Sequence, residues 1–79
     1  MKAIVKNIPA DTFLEDNNFG EYFTNWMTKF IGKTISVKPL FNIGHPWYEE
    51  TTTGDMWIFH RSWLTFPKKK SAKKGKEVI

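Results

Sequence analysis

The sequence predicts an α+β fold in which one amphipathic helix covers a small, curved antiparallel sheet. Three observations carry this expectation. Residues 19–31 place Phe19, Tyr22, Phe23, Trp26, Met27, Phe30 and Ile31 at i, i+3, i+4, i+7, i+8, i+11 and i+12, the repeat of one helix face. Short runs of β-branched and aromatic residues on either side alternate with the two-residue period of half-buried strands. All thirteen aromatic residues lie between Phe13 and Phe66, so the chain divides into an aromatic body, residues 1–67, and an aromatic-free lysine tail, residues 68–79.

The first strand is read from "KAIVKNIP", where Ala3, Ile4, Val5 and Ile8 interleave with lysines and Pro9 removes a ladder donor. The polar loop "ADTFLEDNN" follows. The helix is marked at both ends: Asn18 with Glu21 three residues on fits a capping-box-like start, and Gly32 fits the left-handed stop after a last turn. Trp26, at mid-stripe, is expected at the centre of the core. In "KTISVKPLF" Ile35 and Val37 alternate with Thr34, Ser36 and Lys38, and Pro39 points to an edge or bulge. After the break at "NIGHP", the segments "WYEETTT" and "DMWIFH" flank Gly54-Asp55 and read as a hairpin. The apolar run "MWIFHRSWLTF" is interrupted by polar "HRS", which predicts a tight turn between two short strands.

Composition narrows the function classes. A chain of 79 residues makes at most one domain and can only just bury a sufficient core. It has no cysteine, which excludes disulfides and thiolate zinc sites and fits a reducing, cytoplasmic setting. No apolar window is long enough to span a bilayer and "MKAIVK" leads into no signal-peptide apolar run, so a soluble protein without membrane contact is expected. The body carries six Lys and Arg against seven Asp and Glu, net −1, whereas the tail carries six lysines against Glu77, net +5. The tail is expected to be disordered, since only Val78 and Ile79 offer apolar surface at its end.

The stretch "GDMWIFHRSWL", residues 54–64, resembles the end of SH3-like barrels, in which a strand with a glycine and aromatics runs through one helical turn into a short last strand. The resemblance implies an SH3-like curved sheet beneath the helix. The opening aromatic and acidic loop motifs of that family are missing, and a long helix is foreign to it. In its size, aromatic body and lysine tail the chain is also similar to short bacteriophage accessory proteins, which implies a protein partner such as a host factor.

Chemistry-bearing constellations are sparse. His60 and Ser62 share a strand face with Asp55 upstream, but neighbours on one strand supply neither a cleft nor an oxyanion site, and no enzyme is expected. His45, His60, Glu49, Glu50 and Asp55 show no metal-ligand spacing, and the five glycines are too scattered to cradle a phosphate. No cofactor, metal or small-molecule substrate is expected. The leading expectation is a non-enzymatic interaction module that binds a protein partner through an aromatic face. Trp47, Tyr48 and Arg61 are its partner-binding residues, because exposed Trp, Tyr and Arg dominate docking hot spots. Lys68, Lys69, Lys70, Lys73, Lys74 and Lys76 add attraction to nucleic acid or another acidic surface. The alternative is a nucleic-acid-binding accessory protein that stacks bases on its aromatic face and tracks phosphates with its tail.

The tail reading has a measurable consequence. Six lysines neutralise at most six phosphates, so the slope of log affinity against log salt should be no steeper than about −4 to −5 for any oligonucleotide. A steeper slope in a salt titration would place further phosphate contacts on the body.

Overall fold

The computed structural model describes residues 1–67, so the tail and its six lysines lie outside the described residues. Strand β1 (Lys2–Val5) alternates exposed Lys2 and Ile4 with buried Ala3 and Val5. β2 (Thr12–Asp16) and β3 (Phe19–Phe23) form a hairpin of their own, and Asn25–Phe30 follows as a 3-10 helix. β4 (Thr34–Pro39) buries Ile35 and Val37 on one face, as its alternation requires. β5 (Trp47–Glu50) and β6 (Ile58–His60) continue the sheet, and a one-turn 3-10 helix, Arg61–Trp63, leads into β7 (Leu64–Thr65).

Five strands make one antiparallel sheet in the order β6-β5-β4-β1-β7, and β2 with β3 makes a second. β4 serves both halves of the larger sheet. Its first residues pair with β1 (Ala3 opposite Ile35) and its last with β5 (Lys38 opposite Glu49). The turn expected at His60-Arg61-Ser62 is the 3-10 turn Arg61–Trp63, after which Leu64 returns to pair with Val5. The core is the shared inner side of these elements: Ala3, Val5, Ile35, Val37, Trp47, Phe59, Trp63 and Leu64 from the sheet, with Phe23, Met27 and Phe30 closing over it.

The hairpin expected around Gly54-Asp55 forms between β5 and β6, with Trp47 opposite His60 and Tyr48 opposite Phe59. Its connection, residues 51–57, is long and is organised from within. Glu50 is fully buried, and its carboxylate accepts from the Thr53 backbone N–H and, at 3.0 Å, from the Thr53 hydroxyl. The Thr52 hydroxyl in turn accepts from the Ser36 N–H at 2.7 Å, tying the loop to β4. A buried carboxylate is tolerated where polar donors meet it.

The expected helix over residues 19–31 does not form. The fold is mostly β, not α+β, and no amphipathic helix covers the sheet; the longest helical element among the described residues is the six-residue 3-10 segment. The physical reason is local. Asn17 and Asn18 both adopt positive φ, 53° and 63°, which makes a two-residue loop that joins β2 to β3 and sends the next residues back as a strand. Gly20 and the surrounding aromatic residues also weigh against helix. After β3, Thr24 is still extended, and the tight 3-10 repeat brings Met27 and Phe30 onto the core while Trp26 faces outward. The expectation that Trp26 is central to the core is therefore overturned: it is 72% exposed.

Two substitutions separate these readings. Trp47→Ala should cost about 3–5 kcal/mol, comparable to the whole stability of a domain of this size. Trp26→Ala should change stability by no more than about 0.5 kcal/mol, as expected of an exposed side chain. Thermal melts of both variants measure the contrast, and equal losses would contradict the assignment of Trp26 to the surface.

Candidate interaction surface

The β2–β3 arm is anchored by its inner face. In the ladder Thr12 opposes Phe23, Phe13 opposes Tyr22, Leu14 opposes Glu21, Glu15 opposes Gly20 and Asp16 opposes Phe19. Paired residues lie on one face, so Leu14, Asp16, Phe19, Glu21 and Phe23 turn toward the body while Phe13, Glu15, Gly20 and Tyr22 turn away. Phe23 is fully buried and meets Trp63 edge-on at 5.4 Å between ring centroids. Phe19 meets Trp47 at 5.2 Å and Phe41 at 5.4 Å, so it bridges the body and the β4–β5 connection. Two polar contacts complete the anchor. The Trp47 indole N–H donates to the Asp16 carbonyl at 2.9 Å, and the Asp16 carboxylate meets His60 Nε2, also at 2.9 Å.

Asp16, His60 and Ser62 form a carboxylate–imidazole–hydroxyl chain. His60 is buried, and its Nδ1 accepts from the Ser62 backbone N–H at 3.0 Å, which assigns the ring proton to Nε2 and directs it at Asp16. The Ser62 hydroxyl lies 2.8 Å from the same Nδ1. One lone pair therefore serves two donors of a residue only two positions away, the geometry of a cap on the Arg61–Trp63 turn. No cavity adjoins the chain among the described residues. Its chemical role is to hold the arm and the turn. The hydrogen bond from His60 draws the Asp16 carboxyl below its ordinary value; partial desolvation opposes this, and the Asn17 N–H and the Arg61 cation reinforce it.

The outer face of the arm is uncovered. Phe13 and Tyr22 are 52% and 53% exposed, yet their rings touch, with centroids 4.8 Å apart and planes tilted by 53°. Gly20 makes room for the Phe13 ring. A Cβ there would come within 2.7 Å of the Phe13 ring, so the glycine lets that ring lie across the neighbouring strand. Trp26, just beyond β3, is more exposed still. Glu15 shares the outer face, and neither it nor the exposed Asp11 makes an ion pair among the described residues. Residues 7–28 contain four carboxylates, Asp11, Glu15, Asp16 and Glu21, and no Lys or Arg.

The residues singled out by sequence are scattered. Trp47 has no exposed surface and is core, because its strand face is the inner one. Tyr48, on the opposite face, is half-buried against Phe66 at 5.2 Å. Arg61 is exposed, with its backbone bonded to Pro46 and its charge near Asp16. Lys68, Lys69, Lys70, Lys73, Lys74 and Lys76 lie outside the described residues. Of the metal candidates, Glu50 is spent on Thr53, Glu49 meets Lys38 at 3.9 Å, and no group of three potential ligands gathers among the described residues. Sequence reasoning passed over Phe13 and Tyr22. The available signal was two alternating runs, "TFLED" and "FGEYF", joined by Asn-Asn.

The Asp16 anchor gives a pH signature. Because its folded value is depressed, the carboxylate contributes stability that is present above its unfolded value of about 3.9 and lost as pH falls through the folded value. Asp16→Asn should therefore lower the urea midpoint at neutral pH, and the difference from the parent should shrink as the pH falls below the ordinary carboxylate range. An offset that stays constant over that fall would show that the contact holds the arm without its charge.

No protein-family model, curated protein or solved structure matches the chain, so the reading of this surface rests on its own geometry.

Proposed function

We propose that the chain is a non-enzymatic interaction module that binds a protein partner through the outer face of the β2–β3 arm. One observation carries this reading: Phe13 and Tyr22 form a contacting ring pair, with the Phe13 ring lying over Gly20, and both are left half in water. A fixed aromatic pair presents contact area whose conformational entropy has already been lost, as docking hot spots do. Trp26, four residues beyond Tyr22 in sequence, is exposed as well. The docking face thus moves from Trp47 and Tyr48 to Phe13 and Tyr22, while Arg61 sits on the body beside the arm.

A protein partner fits better than nucleic acid. Phosphates would approach the exposed carboxylates of Asp11 and Glu15, in a segment that itself carries no Lys or Arg, which opposes the electrostatic attraction on which nucleic-acid binding depends. The likeness of residues 54–64 to the end of SH3-like barrels is part of this proposal, and a binding module agrees with it. The reading keeps a cytoplasmic setting, which a cysteine-free chain suits, and a host factor of a phage as the partner. Among the described residues, no helix is long and apolar enough to cross a membrane.

The test is affinity capture from the source lysate, with nuclease treatment, using the parent and the Phe13→Ala/Tyr22→Ala double variant. The variant should lose the captured protein by about tenfold or more, since two hot-spot truncations together exceed about 1.4 kcal/mol. Its stability should fall by no more than about 1 kcal/mol, the worth of one cross-strand pair. Undiminished capture by a folded double variant would remove the arm from the interface.

A further inference from the structure

We propose that the arm's outer face receives an arginine-bearing basic segment of the partner protein. The inference rests on the docking role of this face and specifies its ligand. Phe13 and Tyr22 offer ring faces in mutual contact, and the Phe13 ring lies over Gly20. Glu15, opposite Gly20 in the ladder, projects from the same face two residues along from Phe13. It is exposed and makes no ion pair among the described residues. A ring pair flanked by an uncommitted carboxylate matches a guanidinium group. The planar cation stacks on a ring while its N–H fork reaches the carboxylate.

The wider field agrees. Asp11 is also exposed at the start of the arm, and the basic residues nearest in sequence are Lys6 and Lys29, outside residues 7–28. Lys29 is engaged elsewhere, with its ammonium 5.2 Å from the Phe30 ring and 6.0 Å from that of Trp57. Arg61 lies near inward-facing Asp16, so Asp11 and Glu15 leave the exposed side of the arm with a local negative potential that raises the local concentration of a cationic segment. Base stacking would use the same rings, but it would bring phosphates against Glu15 and Asp11. A purely apolar ligand would leave Glu15 beside it without a partner.

The test uses the full-length chain and fluorescence anisotropy with four labelled probes: an eight-residue alternating Arg-Gly peptide, its Lys-Gly and Glu-Gly counterparts, and a single-stranded oligonucleotide. The Arg-Gly peptide should bind, the Lys-Gly peptide more weakly, and the Glu-Gly peptide not at all. Glu15→Gln and Phe13→Leu should each weaken Arg-Gly binding by roughly three- to tenfold. Phe13→Leu keeps apolar area but removes the π face, so it separates cation recognition from simple apolar docking. Thermal melts check that both variants fold. Oligonucleotide binding, if seen, should be unchanged by either substitution, because it would come from the lysine tail.

Failure of the full-length chain to bind the Arg-Gly peptide overturns the proposal, whatever occupies the face instead, the chain's own tail included. Binding indifferent to both substitutions overturns it as well, and oligonucleotide binding that falls with them makes the face a nucleic-acid site. If the Arg-Gly peptide fails while Phe13→Ala/Tyr22→Ala still abolishes lysate capture, the docking face stands and only its cationic ligand is lost. If neither responds, both readings fall.

Discussion

A buried indole N–H must find an acceptor, and the one that Trp47 finds decides how the two sheets meet. Trp47 has no contact with water, and its N–H reaches the carbonyl of Asp16, 31 residues away in sequence. Its cross-strand neighbour is His60, whose Nε2 meets the carboxylate of that same Asp16. One rung of β5 and β6 therefore grips one residue of the arm by main chain and side chain together. Leaving such an N–H unpaired costs about 1–3 kcal/mol, so alternative placements of the arm are disfavoured even where apolar packing alone would tolerate them. Direction comes from the hydrogen bonds, and most of the stabilisation comes from the rings.

Those rings explain why so small a chain carries thirteen aromatic residues between Phe13 and Phe66. Without disulfides, stability must come from packing, and the core is a connected set of edge contacts. Trp47 meets Trp63 at 5.8 Å, Phe23 meets Phe59 at 6.0 Å, and Phe30 meets Phe59 at 5.8 Å. Such contacts add roughly 0.5–1.5 kcal/mol each beyond the area buried. The run from Met56 to Phe66 supplies Phe59, Trp63 and Leu64 to this core, leaves Trp57, Ile58 and Phe66 half-buried, and exposes Met56, whose φ is 59°. The 3-10 turn lets one short segment serve both purposes. It resets the strand alternation after His60, so that Trp63 and the adjacent Leu64 are both buried.

How much of this was legible follows from which signals are local. The alternation of Ile35 with Val37, the turn at His60-Arg61-Ser62 and the hairpin about Gly54-Asp55 each depend on neighbouring residues, and each could be read directly. Residues 19–31 misled because seven apolar residues satisfy a helical repeat while Phe19 and Phe23 also satisfy a strand repeat, with Glu21 between them inward as well. Asn17-Asn18 settles the matter through two positive φ angles, a stronger constraint than periodicity. Trp47 and Tyr48 could be assigned to opposite faces from their adjacency, but not to inside and outside; that choice depends on Asp16 and Phe19, which are distant in sequence. The candidate site was illegible for the same reason, since Phe13 and Tyr22 share a face only once the arm has formed.

The arm itself shows how a minimal fold displays apolar surface without losing order. In a two-stranded ribbon each strand divides its residues between faces by parity, so anchoring and display need not compete for positions. Leu14, Asp16, Phe19 and Phe23 hold the inner face to Trp47, His60 and Trp63, while Phe13, Glu15 and Tyr22 occupy the outer one. An isolated ribbon of this length is marginal in water, and exposed aromatics on a loose ribbon would invite self-association rather than selective binding. The doubly held Asp16 removes that looseness at the β2 end of the loop, and Phe23 does so at the far end of β3. The outer residues then vary in chemistry without disturbing the core, which is the condition for a surface to acquire a partner of its own.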